Sequence, residues 1–137
     1  MSLVLDCSAA LAWVYQDENA ATADEILRRV TTGGAWVPSI WRLEIANGLR
    51  TGIRRGHISA DYRDQALTDL GLFDIAIDPD ADKHAWTTTL RLSDRTGLTL
   101  YDAAYLELAH RRSLPLASLD NALCAAARSL GVPVIGD

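Results

Sequence analysis

Two apolar runs in the sequence end in an aspartate that is followed by a helix-forming segment. Leu3–Leu5 is followed by Asp6, and Leu116–Leu119 is followed by Asp120. A continuous apolar run is typical of a strand that is buried on both faces of a parallel sheet. Open α/β sheets bind ligands at the carboxyl ends of their strands, so two neighbouring strands of this kind would point both carboxylates into one crevice. For either aspartate alone, N-capping of the next helix is the simpler interpretation.

Two further acids lie in segments that are predicted to be helical. Glu44 follows Ile40 and Trp41 by four and three residues, which places it beside apolar side chains on a helix. A boundary position or a salt bridge to Arg50 is the alternative explanation. Asp102 matches the capping-box pattern that begins at Thr99, and a negative charge is favourable near a helix N-terminus.

These four acids would repel each other if the fold brought them together. At 4 Å and an effective dielectric of 20, each close pair costs about 4 kcal/mol, whereas a helix dipole supplies only about 1 kcal/mol. No lysine lies near any of them in the sequence. A divalent cation would offset the repulsion, and ligands that are all oxygen favour Mg²⁺ or Mn²⁺ over zinc. An ion of this kind keeps bound waters and can activate one of them against a phosphodiester.

The elements that must position these acids alternate between helix and strand along the chain, which predicts an α/β fold with a mostly parallel sheet. We expect a single domain over residues 1–137. The five predicted strands are Leu3–Leu5, Ala35–Val37, Phe73–Ile77, Leu114–Leu119 and Val132–Ile135. The predicted helices cover Ser8–Tyr15, with a break at Gln16–Asn19, then Ala20–Thr32, a helix capped by Ser39 that ends near Arg55, Ala60–Leu70, Asp78–Arg95, Thr99–Arg112 and Asp120–Leu130.

The composition excludes several classes of protein. Hydrophobic residues make up 49% of the 137 and charged residues 23%, which is typical of a globular domain. No apolar run reaches the roughly 20 residues of a membrane span, and the early first strand leaves no room for a leader, so we expect a cytoplasmic protein without a membrane partner. A net charge of −5 argues against general nucleic-acid binding but does not exclude an RNA substrate. Cys7 and Cys124 are expected to be small buried residues rather than a disulfide.

Four segments of the chain, taken in order, make it similar to a known family. The sequence resembles a PIN-domain ribonuclease, specifically the VapC-type toxin of type II toxin–antitoxin systems. The resemblance implies a three-layer fold in which helices flank a central, mostly parallel five-stranded sheet. It implies a dimer, and a cognate antitoxin whose C-terminal segment lies along a groove and blocks the site. The segments that carry the resemblance are Leu3–Ala9, Glu44–Leu49, Tyr101–Ala109 and Leu116–Leu123.

The same resemblance implies roles for individual residues. The four acids match the family's acidic set, which binds Mg²⁺ or Mn²⁺ and directs the hydrolysis of RNA. Three polar residues match supporting positions near the metal or the scissile phosphate, and Cys7 stands where a small residue such as alanine is common. The acids are Asp6, Glu44, Asp102 and Asp120, and the supporting residues are Ser8, Asn47 and Ser118.

We therefore predict a metal-dependent endoribonuclease in which Asp6 and Asp102 bind the ion directly. Glu44 and Asp120 would bind it through water or hold a second ion, while Ser118 and Asn47 would orient the attacking water or a phosphate oxygen. One alternative is a catalytically silent interaction domain of the same fold. The other is a phosphotransfer domain in which Asp6 is the nucleophile; this would need a lysine near the phosphate, and Lys83 is the one candidate.

Contacts with RNA and with protein partners are harder to place. The arginines could touch phosphates, although a solvated helix end that complements the helix dipole is the simpler explanation for them. Two tryptophans are our candidates for contact with the antitoxin or with a second subunit. The arginines are Arg50, Arg54, Arg55, Arg91, Arg95, Arg111 and Arg112, and the tryptophans are Trp13 and Trp41.

Overall fold

A single sheet of five parallel strands forms the centre of the molecule in the computed structural model, which describes residues 1–16 and 20–136. The strand order is β3-β2-β1-β4-β5, so the first strand of the chain lies in the middle of the sheet. The predicted parallel α/β architecture is confirmed. The strands are β1 Leu3–Leu5, β2 Ala35–Val37, β3 Ile75–Ile77, β4 Leu116–Ala117 and β5 Val134–Ile135.

Seven α-helices lie within the described residues and flank this sheet. They are α1 Cys7–Tyr15, α2 Ala20–Gly33, α3 Trp41–Arg54, α4 Ala60–Leu70, α5 Leu90–Thr96, α6 Leu100–Arg112 and α7 Asn121–Ser129. In the described part of the chain, none of the helices has both the length and the apolar character needed to cross a membrane.

The register between β1 and β4 brings the two apolar runs of the sequence side by side. Val4 lies opposite Leu116, and Leu5 lies opposite Ala117. Because the strands are parallel, the residues that follow them emerge at the same edge of the sheet. All three residues of β1 are at most 1% exposed, which explains why the run is apolar throughout rather than alternating.

Two glycines on α3 allow this helix to approach α1 closely. A Cβ atom at Gly48 would lie 2.5 Å from Cδ1 of Leu11, and one at Gly52 would lie 2.1 Å from the hydroxyl oxygen of Tyr15. The Tyr15 hydroxyl donates a hydrogen bond to the Gly48 carbonyl at 2.8 Å. Since α1 begins directly after Asp6, the absence of side chains at Gly48 and Gly52 lets α3 bring Glu44, one turn before Gly48, towards the start of α1.

The predicted helix Asp78–Arg95 is wrong over its first two thirds. Ala81–His84 forms a 3-10 turn and Ala85–Thr89 a π-helical turn, so that regular α-helix begins only at Leu90. The Asp78 carboxylate does not cap a helix. It is paired with two arginines of α6, as described below, and also accepts a hydrogen bond from the backbone N–H of Asp80 at 3.1 Å.

The predicted N-cap of α3 differs from the observed one, and the predicted break after α1 lies mostly outside the described residues. Ser39 does not cap α3, because its hydroxyl donates to Asp82 at 2.9 Å, and Ile40 occupies the N-cap position without a side-chain bond. Gln16 ends α1 in a left-handed conformation with φ of 49°. The rest of the predicted break, Asp17–Asn19, lies outside the described residues.

A buried cluster of charges joins the end of α6 to the residue that follows β3. The Asp78 carboxylate, with a fully buried side chain, lies 2.7 Å from nitrogen atoms of both Arg111 and Arg112. Arg111 also pairs with the buried Glu107 at 2.7 Å, and the Arg112 guanidinium lies 3.7 Å from the centroid of the Trp36 ring. Ion pairs with Asp78 and Glu107 therefore tie Arg111 and Arg112, in the last turn of α6, to the body of the protein, and a contact between either of them and RNA stays a prediction.

Asp78 should contribute to stability in a way that depends on pH. Burial by itself raises its pKa, but the hydrogen bonds from Arg111 and Arg112 outweigh this and lower the pKa from its ordinary value of 3.8. Its contribution is therefore fully present above pH 3.8 and is lost as the pH falls through the lowered value. Asp78→Asn should lower the free energy of unfolding at pH 7 by about 2–3 kcal/mol, because the two arginines lose their carboxylate. Urea denaturation should show this deficit closing below pH 3.8.

Asp80→Asn is the matched control. Asp80 pairs with Lys83 at 3.0 Å, but the two side chains are 44% and 75% exposed. An exposed pair of this kind contributes less than about 1 kcal/mol. Equal losses of stability in the two variants would show that the Asp78 cluster does not anchor α6.

Candidate active site

Asp6 lies at the junction of β1 and α1 and is only 4% exposed. It is the N-cap of α1, because its Oδ1 accepts hydrogen bonds from the Ala9 N–H at 3.0 Å and from the Ser8 hydroxyl at 2.7 Å. Its Oδ2 accepts a bond from the Ser118 hydroxyl at 2.6 Å. Burial raises the pKa of Asp6 against the effect of these three bonds, and the charge of Asp102 raises it further. The carboxylate is thus both a cap and a buried charge.

Two serines connect this junction to the next one along the sheet. The Ser118 hydroxyl, which donates to Asp6, accepts a bond from the N–H of Asp120 at 3.0 Å. The Ser8 hydroxyl, which also donates to Asp6, accepts a bond from the N–H of Leu119 at 3.0 Å. Asp120 in turn is the N-cap of α7. The ends of β1 and β4 are therefore cross-linked through side chains, and Asp6 and Asp120 follow neighbouring strands as predicted.

Asp102 is half-buried in the first turn of α6. The Thr99 hydroxyl is the cap, and it accepts a hydrogen bond from the N–H of Asp102 at 3.1 Å. This bond uses the backbone of Asp102 and not its carboxylate. Burial raises the pKa of Asp102, and the charge of Asp120 raises it further.

Glu44 reaches the same region from the first turn of α3. The hydroxyl of Tyr105, on α6, donates a hydrogen bond to its Oε1 at 2.5 Å. Burial raises the pKa of Glu44 despite this bond, and the charges of Asp102 and Asp6 add to the effect. Burial also raises the pKa of Tyr105 far above its ordinary value, and the bond to Glu44 reinforces this shift, so the tyrosine stays a proton donor at neutral pH.

Each of the four predicted acids lies close enough to another for its charge to raise a pKa, or for its own pKa to be raised. Asp102 affects the pKa of both Asp6 and Glu44, Asp6 affects that of Glu44, and Asp120 affects that of Asp102. Every one of these effects raises a pKa, because like charges disfavour ionisation. The arrangement favours any cation that enters among the four carboxylates.

The group suits a hard cation in its chemistry, although it is not a preformed cage. All four side chains offer oxygen, which Mg²⁺ and Mn²⁺ prefer. Among residues 1–16 and 20–136, no three His, Cys, Asp or Glu side chains are placed so that they could hold an ion together. Mg²⁺ is commonly held by only one or two carboxylates and retains several waters. The donor set suits such an ion in its chemistry, and direct binding by Asp6 and Asp102 stays a prediction.

Cys7 and Asn47, each close in sequence to one of the acids, differ in exposure. Cys7 is half-buried, and burial together with the charges of Glu44, Asp6 and Asp102 raises its pKa to about 12. It is therefore a protonated thiol at neutral pH, and neither it nor Cys124 forms a disulfide, as predicted. Asn47 is exposed on α3, one turn after Glu44, and its predicted contact with water or phosphate stays a prediction.

Five of the seven arginines that were considered as RNA contacts are exposed. Arg50, Arg54 and Arg55 are exposed at the end of α3, and Arg91 and Arg95 are exposed on α5, so these five stay predictions. Lys83, the chain's one lysine, is bound to Asp80, which does not support a phosphotransfer site at Asp6.

The two tryptophans that were predicted to contact a partner protein, Trp13 and Trp41, differ in how far they are buried. Trp41 is 6% exposed, so its prediction as a partner contact is wrong. Trp13 is half-buried, donates to the Ala23 carbonyl at 2.7 Å and packs against Phe73 with 5.7 Å between ring centroids; its partner contact stays a prediction. Trp86, on the π-helical turn, is 89% exposed.

Sequence reasoning missed Tyr105. It follows Asp102 by three residues, a spacing that puts the two side chains on the same face of α6. The sequence shows that spacing. It does not show that Tyr105 bonds to Glu44 on α3, because these two residues are 61 positions apart.

Comparisons with known proteins show the family and the fold of the chain. The model of the PIN domain family matches residues 3–129. The chain is 28% identical to a protein named Ribonuclease VapC3 from Pyrobaculum aerophilum, over 97% of this chain and all of the relative. It is also similar in fold to the crystal structure of PAE2754 from the same organism, with a TM-score of 0.65, 23% identity and coverage of 98% of this chain and 92% of the other.

The Ser118 hydroxyl should contribute measurably to stability. In Ser118→Ala, Asp6 loses a hydrogen-bond donor and the Asp120 N–H loses its acceptor, both in a buried or half-buried place. We expect the free energy of unfolding to fall by about 1–3 kcal/mol in urea denaturation. The control is Ser129→Ala, since Ser129 is exposed on α7 and bonds only to a local carbonyl. If both variants lost the same small amount, the cross-link between β1 and β4 would not matter for folding.

Proposed function

Because the chain belongs to the PIN-domain family, we propose that it is a Mg²⁺- or Mn²⁺-dependent endoribonuclease and the toxin of a toxin–antitoxin pair. One observation carries the proposal: Asp6 and Asp120 follow neighbouring parallel strands whose ends are joined through Ser8 and Ser118. The charge of Asp102 also raises the pKa of both Asp6 and Glu44. The similarity to a protein named as a ribonuclease supports RNA as the substrate.

In this proposal, Asp6 and Asp102 bind the ion directly. Glu44 and Asp120 bind it through water, or hold a second ion when RNA is present. When bound, the ion supplies a water of lowered pKa and offsets the charge on the reacting phosphate. The raised pKa of three of these carboxylates supports the assignment, because a cation is the partner that their surroundings lack.

The other residues of the site orient these groups. Ser8 and Ser118 fix both oxygens of Asp6 through hydrogen bonds, so its carboxylate keeps one orientation while an ion binds or leaves. Asn47 lies on α3 one turn after Glu44, where an amide can orient a water or a phosphate oxygen. Exposed arginines at the end of α3 and on α5 are the proposed contacts to the RNA backbone.

The proposed partners follow from the same assignment. A toxin of this class needs a cognate antitoxin, whose C-terminal segment we expect along a groove that leads to the acids. We also expect a homodimer. The exposed Trp86 adds a candidate anchor for one of these protein contacts, because large exposed aromatic side chains are enriched at interfaces.

The alternative is a catalytically silent interaction domain of the same fold. One observation favours it: within the described ranges, no three potential ligands are arranged to hold an ion together. Thermal unfolding with and without Mn²⁺ separates the two possibilities, because a ligand that binds the folded state raises the melting temperature. The absence of any shift would favour the silent domain.

Loss of the Asp6 charge should abolish RNA cleavage without loss of the fold. Asp6→Asn removes a direct ligand, and we expect the cleavage rate on total RNA with Mg²⁺ to fall by more than about 100-fold. Addition of EDTA to the wild-type protein should reproduce this loss. The circular dichroism spectrum should stay unchanged, because asparagine has the same shape and still caps α1.

Asp24→Asn, on the exposed side of α2, is the matched control and should cleave at the wild-type rate. Cleavage by Asp6→Asn at that same rate, or cleavage by the wild type that resists EDTA, would refute the proposed metal-dependent mechanism.

A further inference from the structure

Tyr105 places a hydroxyl group directly against one of the proposed metal-binding acids. The residue is 1% exposed, and its hydroxyl donates to Oε1 of Glu44 at 2.5 Å. A buried tyrosine hydroxyl needs a hydrogen-bond partner. Other tyrosines of this chain satisfy that need with backbone carbonyls: Tyr15 bonds to Gly48 and Tyr62 to Val14. Tyr105 bonds instead to a carboxylate, at the short distance that is typical of an O–H donor to a charged acceptor.

The bond counteracts the forces that would move Glu44 out of the site. The glutamate side chain has three rotatable bonds, and fixing it costs conformational entropy. Asp6 and Asp102 repel it as well. Because Tyr105 and Asp102 lie on the same face of α6, one helix supplies both an acid and the donor that holds a second acid in place. The bond takes one acceptor position of Oε1 and none of Oε2, so Oε2 keeps its full acceptor capacity for an ion or its water.

We propose that Tyr105 is a positioning residue that holds the Glu44 carboxylate in the acid group, so that Glu44 can receive a water of the bound ion through Oε2. The inference rests on the proposed function and deepens it. Tyr105 itself contacts neither the ion nor the RNA. Second-layer hydrogen bonds of this kind typically change metal affinity or activity by tenfold to 100-fold.

The test compares two deletions of a tyrosine hydroxyl. Tyr105→Phe removes the donor to Glu44, whereas Tyr15→Phe removes a hydroxyl that bonds to the backbone of the same helix one turn later. Mn²⁺ affinity is measured by calorimetry without RNA, and cleavage is measured across a Mn²⁺ titration. Tyr105→Phe should weaken Mn²⁺ binding by about tenfold, and saturating Mn²⁺ should restore most of its cleavage rate. Tyr15→Phe should leave Mn²⁺ affinity unchanged even where its melting temperature falls.

A double-mutant cycle with Glu44→Gln shows whether Tyr105 acts through Glu44. Tyr105→Phe should cause no further loss of Mn²⁺ affinity in the Glu44→Gln background. If Tyr105→Phe does not fold, Glu44→Asp replaces it, because the shorter acid withdraws from the hydroxyl while the tyrosine stays intact, and the same loss of affinity is expected. Wild-type Mn²⁺ affinity in the variant that folds would overturn the positioning role alone. A wild-type protein that neither binds Mn²⁺ nor cleaves RNA would overturn the proposed function and this inference together.

Discussion

The buried carboxylate of Asp6 is the constraint on which the rest of the site depends. A charge that is 4% exposed at the centre of the sheet is tolerated only where hydrogen bonds or a counter-ion replace its water. The chain supplies three hydrogen bonds, from Ser8, Ala9 and Ser118. Two of these donors also accept bonds from the loop after β4, so the same groups that solvate the charge join two strands. The local chemistry of one residue thereby fixes where Asp120 must lie.

Helix capping does not exhaust the acceptor capacity of the aspartates that follow β1 and β4. Asp6 and Asp120 each cap a helix through Oδ1, as the simpler interpretation of each aspartate expected. A carboxylate has two oxygens and about four acceptor positions, so a cap leaves capacity for other partners. In this fold the helix N-termini point at the edge where the strands end, and the partial positive charge there favours acids. The caps therefore concentrate negative charge at the place where a cation is expected.

The features that could be predicted from the sequence are those that local patterns determine. The all-buried run Leu3–Leu5 indicated a central parallel strand, and the Thr99 cap was visible in the spacing to Asp102. The failures concern residues whose partners are distant in sequence. Asp78 was expected to open a helix, but its carboxylate is taken by arginines 33 and 34 positions away. Ser39 was expected to cap a helix, but its hydroxyl bonds to Asp82, 43 positions away. Local propensity was outweighed there by contacts that form only in the folded chain.

The helix α6 contributes both to the group of acids and to the ion cluster around Asp78. Its first turn carries Asp102, its middle carries Tyr105, and its last turn carries the arginines bound to Asp78. Five of its residues are essentially inaccessible to solvent: Ala103, Tyr105, Leu106, Leu108 and Ala109. A helix held by a packed face and by an ion cluster at one end cannot easily move away from the acids at its other end. Repulsion among the carboxylates is therefore resisted by interactions that lie outside the candidate site.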